Sequence, residues 1–215
     1  MMNESRTKQP TRRRRADGEI SRQRILDAAT EIAAERGYEG TSIGAVSAKC
    51  GLPASSIYWH FKDKDDLIAA VIERSFERWL PNWEMPPGDD DRARFATLAA
   101  NVAKAMLDSP DFIRLGLMLA LERRPVEPRA RAMYLDTRVR ASHEIASTIR
   151  DFAPELEEAG VRALTTYALA GADGLFIAYQ LDGDAVDLPA LFSLHAQMLY
   201  DAAMRLSPEI GRAHV

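Results

Sequence analysis

Residues 41–67 read TSIGAVSAKCGLPASSIYWHFKDKDDL, and this stretch decides the fold. It divides into two short helical segments with a tight turn between them. Ser42 is placed to cap a first helix running to about Cys50, with Ile43 and Val46 on one face and small Ala45, Ser47 and Ala48 filling in. Gly51 stops that helix where positive φ is needed. Leu52 plugs the corner, and Pro53 suits the first position of a second helix ending at His60. That second helix is too short to be stable alone, so Val46, Cys50, Leu52 and Ile57 must tether it, as in a helix-turn-helix. Held this way, it presents Ala54, Ser55, Ser56, Tyr58 and Trp59 outward. Small side chains beside two aromatics suit close approach to a DNA groove.

The same stretch resembles the DNA-binding signature of the tetracycline-repressor (TetR) family of bacterial transcription regulators. The matching features are the T-S-I start, V-S-A-K-C-G-L, S-I-Y-W-H-F, and K-D-K-D-D-L opening the next helix. The resemblance covers roughly Ile20 to Ser75, about a third of the chain; beyond that only architecture and length agree. It implies that Tyr58, Lys64 and the Thr41 hydroxyl contact phosphates, with Ser42, Ala54, Ser55, Ser56, Trp59 and His60 also on the DNA face. Gly44 departs from relatives that carry a long polar base-reader there. Trp59 and Phe61 have a second reading, as packing for the head.

Working outward, Met1 to Gly18 is polar and aperiodic and reads as a disordered arm. Its run Arg12, Arg13, Arg14 and Arg15 suits phosphates or a narrow minor groove; the alternative is a solvated tail. Ile25, Ala29, Ile32 and Ala33 fall at helical spacing, predicting a helix from Ile20 to Arg36 that Gly37 ends. Asp63 to about Leu80 forms the next, with Asp63 as its cap and Asp66 completing a weak capping box. Leu67, Val71 and Arg74 make one line along it, and Ile68, Ile72 and Phe76 another.

The remainder is helical by periodicity: Arg92–Leu107, Asp111–Leu121, Arg129–Phe152, Val161–Leu181 and Leu188–Leu206, with prolines and glycines between. The expected fold is therefore all-α. It comprises an arm over 1–18, a three-helix helix-turn-helix domain over 19–66, and a helical ligand-binding and dimerisation domain over 67–215.

Charge is split along this division. Met1 to Ser75 carries 13 basic and 11 acidic residues; the rest carries 15 and 21. A basic arm on a near-neutral head with an acidic body suits an oriented nucleic-acid binder. One cysteine excludes an internal disulfide and makes a reducing cytoplasm the expected compartment. Cys50 reads as a small buried hydrophobe, with redox sensing as the alternative. No apolar signal region or membrane span is expected. The four histidines show no metal-ligand spacing, and no phosphate-cradling loop or nucleophile elbow occurs, so neither metal, cofactor nor enzyme activity is expected.

Two partners remain. Leu164, Ala168, Gly171 and Leu175 on one C-terminal helix, with Leu191, Leu194, Met198 and Ala202 on the next, form wide apolar stripes; the resemblance implies a four-helix interface between two chains. The resemblance also implies an effector pocket in the body. Its candidate lining is Trp79, Trp83, Met85, Phe95, Met106, Phe112, Leu115, Met118, Met133, Tyr134, Phe176 and Tyr179, each of which also reads as plain core. The expected function is a regulator, on balance a repressor, that binds a palindromic double-stranded operator as a homodimer and is released by a small apolar effector. Competing readings are a helical carrier or enzyme with a vestigial head, and an architectural DNA binder without effector.

Overall fold

In a computed structural model of the chain, residues 10–122 and 128–207 are described, with side chains from residue 16 onward. Among them all regular structure is helical: α1 (Pro10–Gly40), α2 (Ile43–Cys50), α3 (Ala54–His60), α4 (Lys64–Trp79), α5 (Asp91–Asp108), α6 (Pro110–Leu121), α7 (Arg129–Phe152), α8 (Glu158–Asp182) and α9 (Leu188–Leu206), with short 3₁₀ turns at Leu80–Trp83 and Gly183–Ala185.

The first helix departs from expectation. It begins at Pro10 rather than Ile20, so residues 10–18 extend it instead of forming an irregular arm. Proline suits a first helical position, and the arginines and Ala16 that follow are good helix formers. Gly37 interrupts α1 with φ 67°, as the glycine there led one to expect. The side chains of Arg12 to Arg15 lie outside the described residues.

By packing, the chain falls into two units that differ from the linear division at residues 66 and 67. One unit holds residues 1–74 with 114–134; the other holds 75–113 with 135–215. The boundaries fall inside α4, α6 and α7, so each of these helices contributes to both units.

The first unit is built on a core of Ile25, Leu26, Ala29, Ile32, Val46, Ile57, Phe61, Leu67 and Val71. Burying each large aliphatic side chain there contributes about 1.5–3 kcal/mol, which is what holds the seven-residue α3 in place. Arg74, the polar member of its line on α4, reaches α1, where its guanidinium donates to Asp27 (2.7 Å) and Thr30 (2.8 Å). Asp63 does cap α4, accepting from the Asp66 N–H at 2.9 Å. Asp66, however, accepts from the Lys62 N–H rather than closing a box with Asp63.

Residues 114–134 join this unit through contacts far apart in sequence. Asp65 accepts from the Tyr38 hydroxyl (3.0 Å), from the Ala130 N–H (3.2 Å) and from the Arg129 N–H, while Arg129 pairs with Asp66. The first turn of α7 is thus capped by a carboxylate of α4. Within α6, Gly116 leaves room for the Tyr134 ring, which a Cβ would meet at 2.0 Å.

In the second unit α9 packs against α5 and α8. Asp90 and Asp187 cap α5 and α9 through their first-turn N–H groups. Phe95, Phe152 and Tyr200 form an aromatic cluster, and Phe76, Trp79 and Phe112 another. Arg138 forms a two-pronged ion pair with Asp173, at 3.0 and 2.7 Å, joining α7 to α8.

Candidate functional site

The turn between α2 and α3 is built locally. Ser42 Oγ accepts from the Ala45 N–H at 3.2 Å, leaving the hydroxyl hydrogen free to point outward. Gly51 adopts φ 67° and ψ 23°, the left-handed conformation that closes α2. Two contacts not foreseen from the sequence lock the corner: Ser47 Oγ donates to the Leu52 carbonyl (2.6 Å), and Arg24 donates to the Cys50 carbonyl (2.7 Å). A cation at a helix C-terminus is favoured by the helix dipole. Cys50 is buried, as a small hydrophobe would be.

This scaffold presents one face of α3. Ile57 is fully buried and Phe61 is 3% exposed, whereas Tyr58 is 57% and Trp59 76% exposed. Of the two readings of these aromatics, packing therefore holds for Phe61 and fails for Trp59. Ser55 is exposed beside them, with Ala54 and Ser56 half-buried. His60 is half-buried; its ring meets Trp59 edge-on at 4.6 Å. Burial and the neighbouring Arg22 guanidinium hold its pKa below the ordinary histidine value, against an opposing pull from Glu19.

Two expected phosphate ligands are turned inward. Thr41 is 1% exposed and its hydroxyl donates to the Gly37 carbonyl at 2.8 Å, because the kink at Gly37 leaves that carbonyl without its helical partner. Lys64 lies over the Tyr38 ring at 4.3 Å, donates to the Tyr38 carbonyl (3.2 Å) and pairs with Glu39 (3.5 Å). Lys64 thus has internal partners that a phosphate would have to replace.

The second unit contains an apolar cavity of about 100 Å³ between α5, α7, α8 and α9. Of the aromatic and methionine residues expected to line a pocket, only Trp83 and Phe95 do so. Trp79, Met106, Phe112 and Phe176 are buried away from the cavity, and Tyr179 is half-buried outside it. Leu115, Met118, Met133 and Tyr134 belong to the other packing unit. The reason is size: large side chains fill the core, and the void opens where Ala99, Ala168, Ala172 and Ala196 face each other. Those alanines at helical spacing were the signal to read.

The expected interface stripes also divide. Leu164 and Ala168 face the cavity, and Gly171 accommodates His195 of the same chain, whose Cε1 lies 2.2 Å from where a Cβ would stand. Leu175, Leu191 and Ala202 are half-buried. Leu194 and Met198 are exposed on α9, as are Tyr167, Ile177 and Leu181 on α8. Gly174 has nothing within 4 Å of its missing side chain. Among the described residues no group of histidine, cysteine and acidic side chains could hold a metal ion, and no helix is long and apolar enough to cross a membrane.

A short exposed helix pinned on a two-helix scaffold through a left-handed glycine defines a helix-turn-helix protein. Residues 25–71 match the family model for bacterial regulatory proteins of the tetR family, so the likeness to TetR-family regulators rests on this N-terminal domain. It is 38% identical over 64 residues to the HTH-type transcriptional regulator AcrR of Shigella flexneri, a match covering 30% of each chain. It is 30% identical over 89 residues to the HTH-type transcriptional repressor KstR of Rhodococcus jostii, covering 41% of this chain and 42% of that one. The matches therefore span less than half the length of these curated relatives. A TetR-family regulator from Streptomyces coelicolor superimposes with a TM-score of 0.70 at 18% identity, over 90% of this chain and 86% of the other, which extends the likeness of fold to the helical body.

Proposed function

We infer that the protein is a DNA-binding transcriptional regulator which represses by occupying a palindromic operator as a homodimer and is released by a small apolar effector. The observation that carries this reading is α3: Ile57 and Phe61 pin it while Tyr58, Trp59 and Ser55 stand in solvent. Trp59, 76% exposed, leaves most of its ring uncovered by the described residues, and its flat face is suited to a groove or backbone edge. Ser42, Ala54, Ser55, Ser56 and Tyr58 complete the contact surface; by sequence alone the run Arg12 to Arg15 is a further candidate for phosphates, and Lys64 contributes by exchanging its Tyr38 and Glu39 partners for phosphate.

One seven-residue helix reads too few bases for useful specificity, so two copies act together. The exposed apolar residues of α8 and α9 supply the face for that pairing. The cavity supplies the effector site. The repressor sense is transferred from relatives such as KstR, which carries that name. Selection of binding sites from a randomised duplex library tests the reading: a two-fold symmetric consensus supports it, and recovery of no consensus refutes it.

A further inference from the structure

We propose that the cavity of the second unit takes an uncharged ligand of about one aromatic ring, carrying a single hydrogen-bond acceptor to which the Trp83 indole N–H donates. The proposal rests on the reading of this cavity as the effector site and specifies the chemistry of its occupant.

Size comes first. A cavity of about 100 Å³ is of the same order as the roughly 150 Å³ apolar cavity that admits benzene, so a single ring with a small substituent is its upper limit. It is well below the ~300–1,000 Å³ of sites for drug-sized molecules. A fused-ring or long-chain ligand would have to displace core side chains. The four facing alanines leave the space for one ring, with the Phe95–Phe152 pair forming part of its wall.

Charge comes next. No Asp, Glu, Lys or Arg side chain lines the cavity, so an ionised ligand would lose its hydration with no carboxylate, ammonium or guanidinium to pair with, which is costly. His195 lines the wall, but its Nε2 is engaged with the Ala168 carbonyl at 3.1 Å. A carbonyl only accepts, so that nitrogen carries the hydrogen.

The polar requirement comes from Trp83. Its Nε1 is buried with no protein acceptor, and the ring lines the cavity. A buried donor left unpaired is costly, and a ligand oxygen placed against it would relieve that cost. Trp79 provides an internal control. Its Nε1 is also buried without a protein acceptor, and its ring lies 5.1 Å from that of Trp83, but it is not part of the lining.

Equilibrium dialysis with three probes of equal heavy-atom count tests this: acetophenone, cumene and benzoate. Trp83→Phe keeps the ring and removes the donor. The wild type should bind acetophenone and cumene, with benzoate at least tenfold weaker than acetophenone. Trp83→Phe should weaken acetophenone by about 2- to 13-fold, the range for one net hydrogen bond, while leaving cumene within twofold. Trp79→Phe should change neither. Benzoate binding as tightly as acetophenone, equal losses for both neutral probes in Trp83→Phe, no binding of acetophenone, or a selective loss in Trp79→Phe would each overturn the assignment. DNA affinity of the same preparations reports separately on the regulator role, which fails only if no selected site is bound.

Discussion

Asp65 shows how much one side chain can organise. Its carboxylate accepts from Tyr38 on α1 and from two N–H groups at the start of α7, so it caps a helix 64 residues away. Asp65→Ala should lower the unfolding free energy of the full chain by about 1–3 kcal/mol, since a lost cap and an unpaired buried hydroxyl each cost on this scale; urea melts followed by circular dichroism measure it. A change within 0.5 kcal/mol would mean that the cap contributes nothing. His60 gives a pH-dependent counterpart. Its pKa is held below the ordinary value, first by burial and then by Arg22, so the unfolded chain binds the proton more readily than the folded one. Stability is therefore full above the ordinary histidine value and falls as the pH drops through it. His60→Gln should flatten the decline between pH 7.5 and 5.5; an unchanged decline would assign it to other groups.

At the scale of the helices, the sequence was most legible where breakers and caps are local. Both ends of α7 and α9 were predictable, because prolines, turn residues and apolar periodicity coincide at Arg129, Phe152, Leu188 and Leu206. The Ser42 cap and the Gly51 stop were readable for the same reason. What could not be read is whatever depends on partners distant in sequence. Nothing near Lys64 signals that Tyr38 and Glu39 will hold it, nor that Thr41 will turn to Gly37. The stripes on α8 and α9 could be recognised as apolar, but periodicity does not say which edge faces inward. Leu164 and Ala168 proved to line the cavity, leaving Leu194 at 49% exposure and Met198 at 51% for an outer face. If that face joins two chains, Leu194→Glu buries an uncompensated charge on each side of the two-fold axis, and the dimer should weaken at least ~150-fold, or about 3 kcal/mol. Sedimentation velocity at micromolar concentration should then show monomer; an unaltered dimer would place the interface elsewhere.

At the scale of the whole chain, three helices contribute residues to both packing units. α7 supplies Arg129 and Ala130 to the Asp65 cap, and Ile145, Thr148 and Ile149 to the cavity wall. If the cavity takes an effector as proposed, and that effector favours one of two arrangements of these helices, it would alter DNA affinity by its differential affinity for the two, and DNA would have to weaken effector binding by the same factor. That reciprocity depends on the more basic claim that the head selects a DNA sequence. Fluorescence anisotropy of a selected palindrome against a scrambled duplex of equal length and composition, at one salt concentration near 150 mM, tests it most directly. The palindrome should bind at least about a thousandfold more tightly, the lower bound for specific recognition, with the advantage largely lost in Trp59→Ala. Equal affinity for the two duplexes would contradict the account.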